Sequence, residues 1–489
     1  MFKPSLDEAR ELSGNYKTIP ISRTMFADTR TPIEVLRILK GVSRHCYMLE
    51  SLEDNTKWGR YTFLGFDPQL EITCTNGRLC IDTGTKITIQ TDDPGHYLTQ
   101  IIEDNRCPRF AALPPFTGGL VGYFSFDYIK YSEPTLTLDA DDEENFKDVD
   151  LMLFDKVIAF DNLKQQIFLI VNIKTDDVAR NYQQALLELN RMAQMIRTGK
   201  PAESEPLRLL SPFRELFDEQ AYCQMVAKAK QHIYEGDIFQ VVLSNRLQAD
   251  AEGSLLDTYR VLRTTNPSPY MFYFSSDDIE ITGASPETLV KLHGETLYTF
   301  PLAGTRPRGE TEAEDLRLEQ ELLHDPKELA EHNMLVDLGR NDIGKISQFG
   351  SVCVEKYLSI ERFSHVMHLG STVRGAIRDD KKALDAIDAV LPAGTLSGAP
   401  KIRACAIINE LENNKRGIYG GAIGYIDFTG NMDTCIAIRL AFKKNGKVFV
   451  RSGAGIVADS IPENEYRECL NKAQAVINAL KQAKGGIDG

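Results

Sequence analysis

Hydrophobic and polar residues recur along this chain with two periods, one typical of strands and one typical of helices. The runs that predict strands include CYMLES, RYTFLGF, LEITCT, PYMFYFSS, IEITGAS and MDTCIAIRLAFK, and KVIAFDNLKQQIFLIVNI predicts a hairpin. Helical spacing predicts helices at about 31–41, 176–197, 222–233, 254–265, 313–335, 381–390, 399–412 and 461–483. Because strands arrive in succession with helices between the blocks, we predict an α+β fold with largely antiparallel sheets.

One segment is typical of a connection between domains. Residues 197–212, RTGKPAESEPLRLLSP, are rich in proline, serine and charged residues, a composition common in linkers. We therefore predict an N-terminal domain over residues 1–197, a linker over 198–213 and a second domain over 214–489.

The composition argues against several classes of partner. The 489 residues are 42% apolar and carry a formal net charge of −14, which disfavours binding to nucleic acid or to an anionic membrane surface. The apolar runs are too short for a transmembrane helix, and the nine cysteines include no C-x-x-C pair. We expect a cytoplasmic protein with reduced cysteines, in which an anionic substrate needs a local positive site.

The stretch HDPKELAEHNMLVDLGRNDIG carries the signals of a helix start. Asp325 suits the N-cap, Pro326 suits the first helical position, and Glu328 follows the cap by three residues. On this predicted helix Glu328 and Glu331 share one face. For such a pair taken alone, a solvated helix surface is the simpler interpretation.

A second pair of carboxylates occurs late in the chain, in SIPENEYRECLNK. Ser460 and Glu463 predict a capping box, while Glu465, Glu468 and Lys472 fall on one helix face. Two helices that each present two carboxylates suit one hard cation, because Mg²⁺ takes oxygen ligands and keeps several waters. The two pairs together are a candidate magnesium site.

A glycine-rich turn leads into a predicted helix in LPAGTLSGAPKIRACAII. Ser397 is the predicted cap, and Pro400 lies near the first helical position. Free backbone amides at such a start can hold an anion, but Gly394, Gly398 and Lys401 lack the spacing of a phosphate-binding P-loop. A capped helix and an anion site are equally consistent with this segment.

Two histidines and one glutamate are candidates for acid–base chemistry. His365 and His368, in RFSHVMHL, lie three residues apart on a predicted strand and point to opposite faces, which disfavours a shared metal ion. Either can titrate near neutral pH, although a packed or surface histidine is the simpler interpretation. Glu287 follows Ser-Pro at a predicted strand-to-turn junction, a place suited to a general acid.

Three further positions are candidates for ligand contacts. Arg439 sits among apolar residues in CIAIRLAF, where a guanidinium needs an anionic partner or must point to solvent. Tyr419 leads a glycine-rich strand in RGIYGGAIGY, and SGAGIV places small residues in succession. Such strands allow the backbone to approach a ligand closely.

These motifs together resemble a known family. PLAGTRPRG, DPKELAEHNMLVDLGRNDIG, SHVMHL, LPAGTLSGAPK, YGGAIGYIDFTGNMD, IAIR and GAGIVADSIPENEYRE occur in that order and are similar to motifs of the chorismate-utilising enzymes. The resemblance covers about residues 214–483, and the weaker matches MLESLEDNTKWGRYTFLG and PFTGGLVGYFSFDYIKY resemble the large subunits of anthranilate synthases. It implies large, mostly antiparallel sheets packed as a sandwich with flanking helices.

The resemblance also implies a reaction that depends on Mg²⁺. Chorismate and ammonia would be converted into anthranilate and pyruvate, the first step of tryptophan biosynthesis. The implied direct metal ligands are Glu331 and Glu468, with Glu328 and Glu465 acting through water. The metal would hold the ring carboxylate of the substrate, so that four carboxylates recruit a cation that binds an anion.

The same resemblance implies roles for other residues. Glu287 is the implied acid for the leaving hydroxyl group, His368 the implied base for a later proton removal, and Thr395 a positioning hydroxyl. The implied substrate contacts come from Gly304, Thr305, Tyr419, Arg439, Gly453, Ala454, Gly455 and Lys472.

Two positions separate the reactions found within this family. Isochorismate and salicylate synthases carry a lysine, which activates water, where this chain has Gln240, and glutamine is not a comparable base. Aminodeoxychorismate synthases tend to carry a lysine where this chain has Ala303, which offers no amine nucleophile. Both positions favour direct attack of ammonia on the ring.

The N-terminal matches imply feedback inhibition by tryptophan. In the family the LES motif and the N-P-S-P-Y-M segment line the effector site, which places Glu50, Ser51, Pro269, Tyr270 and Met271 there. Turn chemistry alone would also explain proline and serine at these positions. A strand and turn without a ligand is therefore the alternative.

The sequence leaves the source of ammonia undecided, and it is also consistent with two alternative functions. None of the nine cysteines lies in a G-x-C-x-G context, so nitrogen would come from free ammonia or from a separate glutamine amidotransferase subunit, which the resemblance implies, in a heterotetramer. The alternative functions are an aminodeoxychorismate synthase component and a catalytically silent, tryptophan-binding regulatory subunit.

Overall fold

The computed structural model describes residues 2–52, 59–362 and 366–487. Over these residues the helices are α1 (Leu6–Leu12), α2 (Pro32–Lys40), α3 (Pro94–Glu103), α4 (Ile129–Ser132), α5 (Val178–Thr198), α6 (Glu219–Tyr234), α7 (Leu256–Thr265), α8 (Glu312–Leu323), α9 (Pro326–Gly344), α10 (Ala383–Val390), α11 (Lys401–Glu412) and α12 (Pro462–Ala483). Within the described residues, each helix is too short or too polar to span a lipid bilayer.

Strands make up two large sheets. The strands are β1 (Phe2–Lys3), β2 (Thr18–Phe26), β3 (Cys46–Glu50), β4 (Tyr61–Phe66), β5 (Leu70–Thr75), β6 (Arg78–Asp82), β7 (Lys86–Gln90), β8 (Gly119–Phe124), β9 (Val149–Phe154), β10 (Lys156–Asp161), β11 (Gln166–Lys174), β12 (Arg208–Leu209), β13 (Arg214–Glu215), β14 (Gln240–Glu252), β15 (Tyr270–Ser275), β16 (Glu280–Ser285), β17 (Thr288–His293), β18 (Thr296–Thr299), β19 (Leu302–Pro307), β20 (Cys353–Arg362), β21 (Val366–Ala376), β22 (Gly398–Ala399), β23 (Ala422–Asp427), β24 (Met432–Ile436), β25 (Leu440–Lys444) and β26 (Lys447–Ile456).

Both sheets are antiparallel, which confirms the predicted α+β class. The first sheet runs β1-β2-β11-β10-β4-β3-β15-β16-β25-β26-β14-β12, with β13 and β22 also paired to β14. The second runs β19-β21-β18-β17-β24-β23-β8-β9-β5-β6-β7, with β20 paired to β21. The named strands pair antiparallel throughout the two sheets.

The sheets pack face to face on an aromatic core. One buried cluster takes Tyr47, Phe272 and Phe442 from the first sheet together with Tyr123 and Met152 from the second. Each buried aromatic side chain of this kind contributes about 1.5–3 kcal/mol through the surface that it removes from water. The core therefore lies between the sheets, as the sandwich prediction requires.

The segment predicted as a linker does not separate one sheet from the other. In the first sheet β3 pairs with β15, so that Glu50 lies opposite Met271. In the second sheet β8 pairs with β23, so that Gly122 lies opposite Gly424. Both sheets thus take strands from residues 1–197 and from residues 214–489, and the division of the chain into two domains stays a prediction.

The helix predicted at 313–335 is in fact two helices, α8 and α9. The Asp325 carboxylate accepts hydrogen bonds from the backbone N–H groups of Lys327 (3.0 Å) and Glu328 (3.2 Å), and Pro326 stands at the first position of α9. A proline cannot donate to the preceding turn and disfavours helical backbone in the residue before it. The predicted helix start is confirmed, and it interrupts the longer helix.

The strand predicted at MDTCIAIRLAFK is also two elements, because the chain changes sheets within it. β24 belongs to the second sheet and β25 to the first. Arg439, at the crossing, has a left-handed backbone with φ of +52°, which is uncommon for a residue with a side chain. The residues before and after the crossing are both buried, so apolar residues occur on each side of Arg439. The hydrophobic pattern therefore does not reveal the change of sheet.

Two predicted helix caps are wrong. The Ser397 hydroxyl donates to the carbonyl of Ala393 (2.8 Å), and Pro400 is the N-cap of α11. The Ser460 hydroxyl accepts from the backbone N–H of Val457 (3.1 Å), and Ile461 is the N-cap of α12. In both cases a local turn takes the hydroxyl, an alternative that serine side chains adopt readily.

Candidate active site

A large cavity beside β26 and between α9 and α12 gathers nearly all of the residues predicted as a site. Its volume is about 1050 Å³. Its lining includes Gln240, Glu287, Ala303, Gly304, Thr305, Glu328, Glu331, His368, Thr395, Tyr419, Arg439, Gly453, Gly455, Glu465, Glu468 and Lys472. Ala454 is the exception, since its side chain is buried in an apolar cluster with residues of α6 and α11. Alternate residues of a strand face opposite sides, so only its neighbours Gly453 and Gly455 face the cavity.

Glu287 lies between β16 and β17, at the strand-to-turn junction that the sequence predicts. The Thr395 hydroxyl donates a hydrogen bond of 3.1 Å to Glu287 Oε1. Burial raises the pKa of Glu287 to about 7, although the hydrogen bond from Thr395 and the charge of Lys472 oppose this rise. A carboxyl group with this pKa can hold and release a proton near neutral pH, as a general acid must.

His368 projects from β21, next to the strand that carries Gly304. Its Nδ1 lies 2.9 Å from the carbonyl oxygen of Gly304, and 3.1 Å from the hydroxyl of Thr305. A carbonyl only accepts, so Nδ1 carries the hydrogen and Nε2 is the basic nitrogen of the neutral ring. Burial lowers the pKa of His368 below its ordinary value, which favours this neutral form. His365 lies outside the described residues.

The four glutamates approach the cavity from two helices, α9 and α12. Burial raises the pKa of Glu331, and the nearby carboxylates of Glu328 and Glu468 add to the rise. The pKa of Glu465 is also raised by burial, and Glu468 contributes there as well. Oxygen ligands that repel one another in a partly desolvated site are the chemistry that a bound Mg²⁺ would relieve. The residues therefore fit such an ion.

Basic side chains already neutralise part of this charge. The ammonium of Lys472 lies 2.6 Å from Glu468 Oε1, and Arg306 Nη1 lies 3.5 Å from Glu328 Oε1. Over the described ranges, compact triads of possible metal ligands occur instead at Glu71, Asp150 and Asp278, and at His232, Glu235 and Asp237. The four glutamates of the cavity are spaced more widely than the residues of these triads. This wider spacing suits Mg²⁺, which retains several of its waters.

The triad of Glu71, Asp150 and Asp278 has a cation of its own. Lys147 Nζ lies within 3.5 Å of an oxygen of each of the three carboxylates. An ammonium at this point takes the place that a metal ion would need, so this triad is an ionic cluster of the fold.

Tyr419, Gly453 and Arg439 also line the large cavity beside β26. A Cβ atom on Gly453 would lie 2.7 Å from the carbonyl of Leu243 and 3.0 Å from the Tyr419 hydroxyl, so only glycine leaves this wall open. Arg439 Nη1 donates to the carbonyl of Lys472 at 2.6 Å, and burial lowers the pKa of Arg439. A half-buried guanidinium in a cavity is suited to an anionic ligand.

Gly304 shows why the strand β19 needs a glycine at this position. Its backbone has φ of +63°, and a Cβ atom there would lie 2.8 Å from Leu322 and 3.1 Å from Glu328 Oε2. The backbone next to His368 can therefore approach both the carboxylate helix and a ligand closely.

The five residues predicted as an effector site also line one cavity, between the two sheets. Glu50, Ser51, Pro269, Tyr270 and Met271 contribute to a cavity of about 340 Å³. Its other walls include Leu49, Phe63, Lys291, Tyr425, Met432 and Asp433. The size falls within the range of small-molecule sites, and the lining combines apolar surface with a few polar groups.

The polar groups of this second cavity are already paired. Glu50 accepts hydrogen bonds from Tyr259 (2.5 Å), Arg263 (2.7 Å) and Thr62 (3.4 Å). The Tyr270 hydroxyl lies 2.8 Å from Asp433 Oδ1 and 2.9 Å from the hydroxyl of Thr288. The charge of Glu50 is thus balanced by Arg263.

Sequence reasoning missed a buried ionic cluster at the cavity wall, made of Glu412, Arg416 and Arg451. Glu412 ends α11, and Asn413 then turns into the left-handed conformation. The spacing of four between Glu412 and Arg416 is therefore not that of a helix face, and neither periodicity nor a motif indicates the cluster.

Comparisons with known proteins place the chain in a family. The model of the chorismate binding enzyme family matches residues 14–478. The anthranilate synthase component 1 of Acetivibrio thermocellus is 44% identical over 493 residues, with 99% of each chain covered, and that of Aquifex aeolicus is 43% identical, with 98% of each covered.

Solved structures agree on the fold. The crystal structure of anthranilate synthase component I from Streptococcus pneumoniae is 39% identical with a TM-score of 0.77, and the match covers 87% of this chain and 93% of that one. The isochorismate synthase MenF of Escherichia coli shares the fold, with 19% identity and a TM-score of 0.69. That match covers 97% of this chain and 98% of the MenF chain. The family model and the full-length relatives together establish that the chain belongs to the chorismate binding enzyme family.

Proposed function

We propose that this chain converts chorismate and ammonia into anthranilate and pyruvate, and the full-length relatives, named anthranilate synthase component 1, support this proposal. The observation that carries the proposal is the single cavity that holds the Glu287–Thr395 pair, His368 and the glutamates of α9 and α12. Acid, base and cation ligands thus surround one space of a size suited to chorismate.

In the proposed reaction Glu287 is the general acid. Ammonia forms a new C–N bond to the ring as the C–O bond of the ring hydroxyl breaks, and the proton from Glu287 lets that hydroxyl leave as water. The raised pKa of Glu287 supports this role, because the group still holds a proton near neutral pH.

His368 is the proposed base for the second half of the reaction. Its Nε2 takes the proton that the ring loses as the enolpyruvyl group leaves and the ring becomes aromatic. The hydrogen bond from Nδ1 to the carbonyl of Gly304 fixes the tautomer that makes Nε2 the acceptor.

Glu331 and Glu468 are the proposed direct ligands of Mg²⁺, with Glu328 and Glu465 acting through bound water. When bound, the ion supplies the positive charge that holds the ring carboxylate of the substrate. Arg439 and Lys472 are the proposed partners of the enolpyruvyl carboxylate, and their position in the lining of the same cavity supports this role.

The residues at two positions of the cavity wall support anthranilate as the product. Gln240 and Ala303, where other family reactions use a lysine, both line this cavity. The deciding assay incubates the chain with chorismate, ammonium and Mg²⁺. We expect fluorescent anthranilate and an equal amount of pyruvate. An aminated product that retains its enolpyruvyl group would instead assign the chain to aminodeoxychorismate synthesis.

A separate glutamine amidotransferase subunit is the proposed source of ammonia. The designation component 1 in the names of the relatives supports a second component. We expect the isolated chain to form anthranilate with ammonium and to form none with glutamine. Turnover with glutamine alone would contradict the need for this partner.

We also propose that tryptophan binds in the cavity between the sheets and inhibits the enzyme. The gathering of Glu50, Ser51, Pro269, Tyr270 and Met271 around one space supports this assignment. Apolar walls suit an indole ring, and the polar groups at Asp433 and Lys291 suit an amino acid backbone. Isothermal titration is expected to show one tryptophan bound per chain, and no binding heat would overturn the assignment.

A further inference from the structure

The buried ionic cluster of Glu412, Arg416 and Arg451 adjoins the active-site cavity: Arg451 is part of the lining, and Glu412 and Arg416 lie behind it. Its side chains are at most 2% exposed. Arg416 donates to both oxygens of Glu412, at 2.5 Å and 2.9 Å, and Arg451 Nη2 donates to Glu412 Oε2 at 2.8 Å. Burial disfavours the charge of Glu412, but the two guanidinium groups hold its pKa below the ordinary value. The cluster is charged and carries one net positive charge.

The remaining donors of Arg416 reach two segments that carry the active site. Arg416 Nη1 donates to the carbonyl of Leu396 and Arg416 Nη2 to the carbonyl of Val242, each at 2.7 Å. Leu396 directly follows Thr395, whose hydroxyl bonds Glu287. Val242 belongs to β14, and its N–H donates to the carbonyl of Ser397 at 2.9 Å. One planar guanidinium thus joins the Thr395 turn to the strand beside it.

The same cluster touches the strand of Gly453 and the ring of Tyr419. Glu412 Oε1 accepts from the backbone N–H (2.7 Å) and the hydroxyl (2.9 Å) of Ser244, which pairs with Gly453. The guanidinium carbon of Arg416 lies 5.8 Å from the centre of the Tyr419 ring. Four segments that line the cavity therefore contact one ionic cluster.

Stability alone is a weak reason for such a cluster. Removing charges from water is costly, and a buried ion pair replaced by apolar residues of the same volume often leaves stability unchanged or improved. A planar fork with five donors, however, fixes distances and angles between the segments that it joins.

We propose that Arg416 is a positioning residue, whose guanidinium sets Thr395, Tyr419 and Gly453 in register for the reaction. This inference rests on the proposed function. Arg416 does not itself line the cavity, and it acts on the reaction through the groups that it holds.

The test is Arg416→Lys, which keeps the charge and loses the planar fork. We expect kcat/KM for anthranilate formation to fall by about 100-fold, mainly through kcat, since a misplacement of about 1 Å in a site has this effect. The alkaline limb of the pH–rate profile should move to higher pH, as it should in Thr395→Val. Thr395→Val removes the hydrogen bond that lowers the pKa of Glu287, and Arg416→Lys releases the Leu396 carbonyl and so displaces the turn that presents this hydroxyl. Lys472, the charged group that faces Glu287, is untouched in both variants.

A second readout separates positioning from general damage. The Mg²⁺ concentration for half-maximal activity should stay at the wild-type value in Arg416→Lys, because the four glutamates lie on α9 and α12, outside the cluster. The matched control is Arg60→Lys. Arg60 makes a similar two-point contact with buried Asp161, at 3.0 Å and 2.6 Å, and does not line this cavity. We expect its kinetic profile to be that of the wild type.

Circular dichroism establishes whether each variant is folded before kinetics are compared. If Arg416→Lys does not fold, Phe126→Leu replaces it, because the Phe126 ring lies 4.5 Å from the same guanidinium and its loss lets the guanidinium shift from its fixed place. The same two kinetic changes are then expected, each to a smaller extent. A folded variant with wild-type kcat/KM and an unmoved alkaline limb overturns the positioning role. A wild-type chain that consumes no chorismate counts against the proposed function instead.

Discussion

Glu287 and His368 should limit activity at opposite ends of the pH range. Glu287 must be protonated to act as an acid, so activity should fall as pH rises through its pKa of about 7. His368 must be neutral to act as a base, and burial, helped by the charge of Arg439, lowers its pKa, so activity should fall only below its ordinary pKa of about 6.5. We expect a bell-shaped profile of kcat/KM between these limits. A profile that keeps rising above pH 8 would contradict the role of Glu287.

Replacement of the acid provides a separate test. Glu287→Gln keeps the shape of the side chain and cannot donate the required proton. We expect kcat to fall by about 10²–10⁴-fold, the usual contribution of a general acid, with KM for chorismate nearly unchanged. The residual activity should also lack the alkaline limb, and Asp433→Asn, in the other cavity, is the control that should retain it.

The glutamates of α9 should differ in their importance for the metal ion. Glu328 Oε1 already forms an ion pair with Arg306 Nη1 at 3.5 Å. We therefore propose that Glu328 contacts the magnesium ion through a water molecule. Glu328→Gln should raise the Mg²⁺ requirement by about 10–100-fold, and Glu331→Gln should raise it further. Equal effects in a magnesium titration of the two variants would reject this order.

At the scale of elements, β17 connects the two cavities. The strand begins at Thr288, next to Glu287, and the Thr288 hydroxyl lies 2.9 Å from the hydroxyl of Tyr270 in the cavity between the sheets. A ligand that moves Tyr270 can therefore shift the start of the strand that directly follows the acid. This contact is a physical route for feedback, since coupling needs an element that both sites bias.

Tyr270→Phe should weaken this coupling without abolishing tryptophan binding. We expect the tryptophan concentration for half inhibition to rise by about 5-fold or more, within the usual range of coupling between sites. The difference between the tryptophan Kd with and without chorismate should shrink accordingly. The control is Tyr61→Phe, on another wall of the same cavity. We expect tryptophan to inhibit this variant as it inhibits the wild type. Equal loss of binding and inhibition in Tyr270→Phe would refute the route.

At the scale of the whole molecule, the two sheets tie the N-terminal part to the C-terminal part. The pairs β3–β15 and β8–β23 cross the predicted linker. A fragment of residues 214–489 would leave open strand edges and an uncovered aromatic core, which favours aggregation. We expect this fragment alone to be insoluble, and co-expression with residues 1–197 to restore soluble, active protein. A soluble, active fragment would contradict this prediction.

Local chemistry explains which features the sequence predicts well. The start of α9 follows from Asp325 and Pro326, because capping and the missing N–H of proline act within a few residues. The hairpin of β10 and β11 follows from turn residues between two apolar runs. The candidate site residues come from motifs shared with a family, and the cavity brings nearly all of them together.

Features that depend on distant parts of the chain escape such reasoning. At Arg439 the chain crosses from one sheet to the other within a mostly apolar stretch. The hydrogen-bond partners of Arg416 include Val242, which is 174 residues away. The cap predicted at Ser397 fails because the turn before it accepts the hydroxyl. None of these contacts leaves a period or a spacing in the sequence.

By itself, the sequence determined the local elements, the antiparallel α+β class and the residue types that the chemistry needs, because propensity, capping and side-chain chemistry are local properties. Only the tertiary structure decided that strands from both parts share each sheet, that Ala454 faces the core, and that Glu287 is buried enough to have a pKa of about 7. Burial and ionic contacts depend on which distant segments pack together, and this packing exists only in the folded chain.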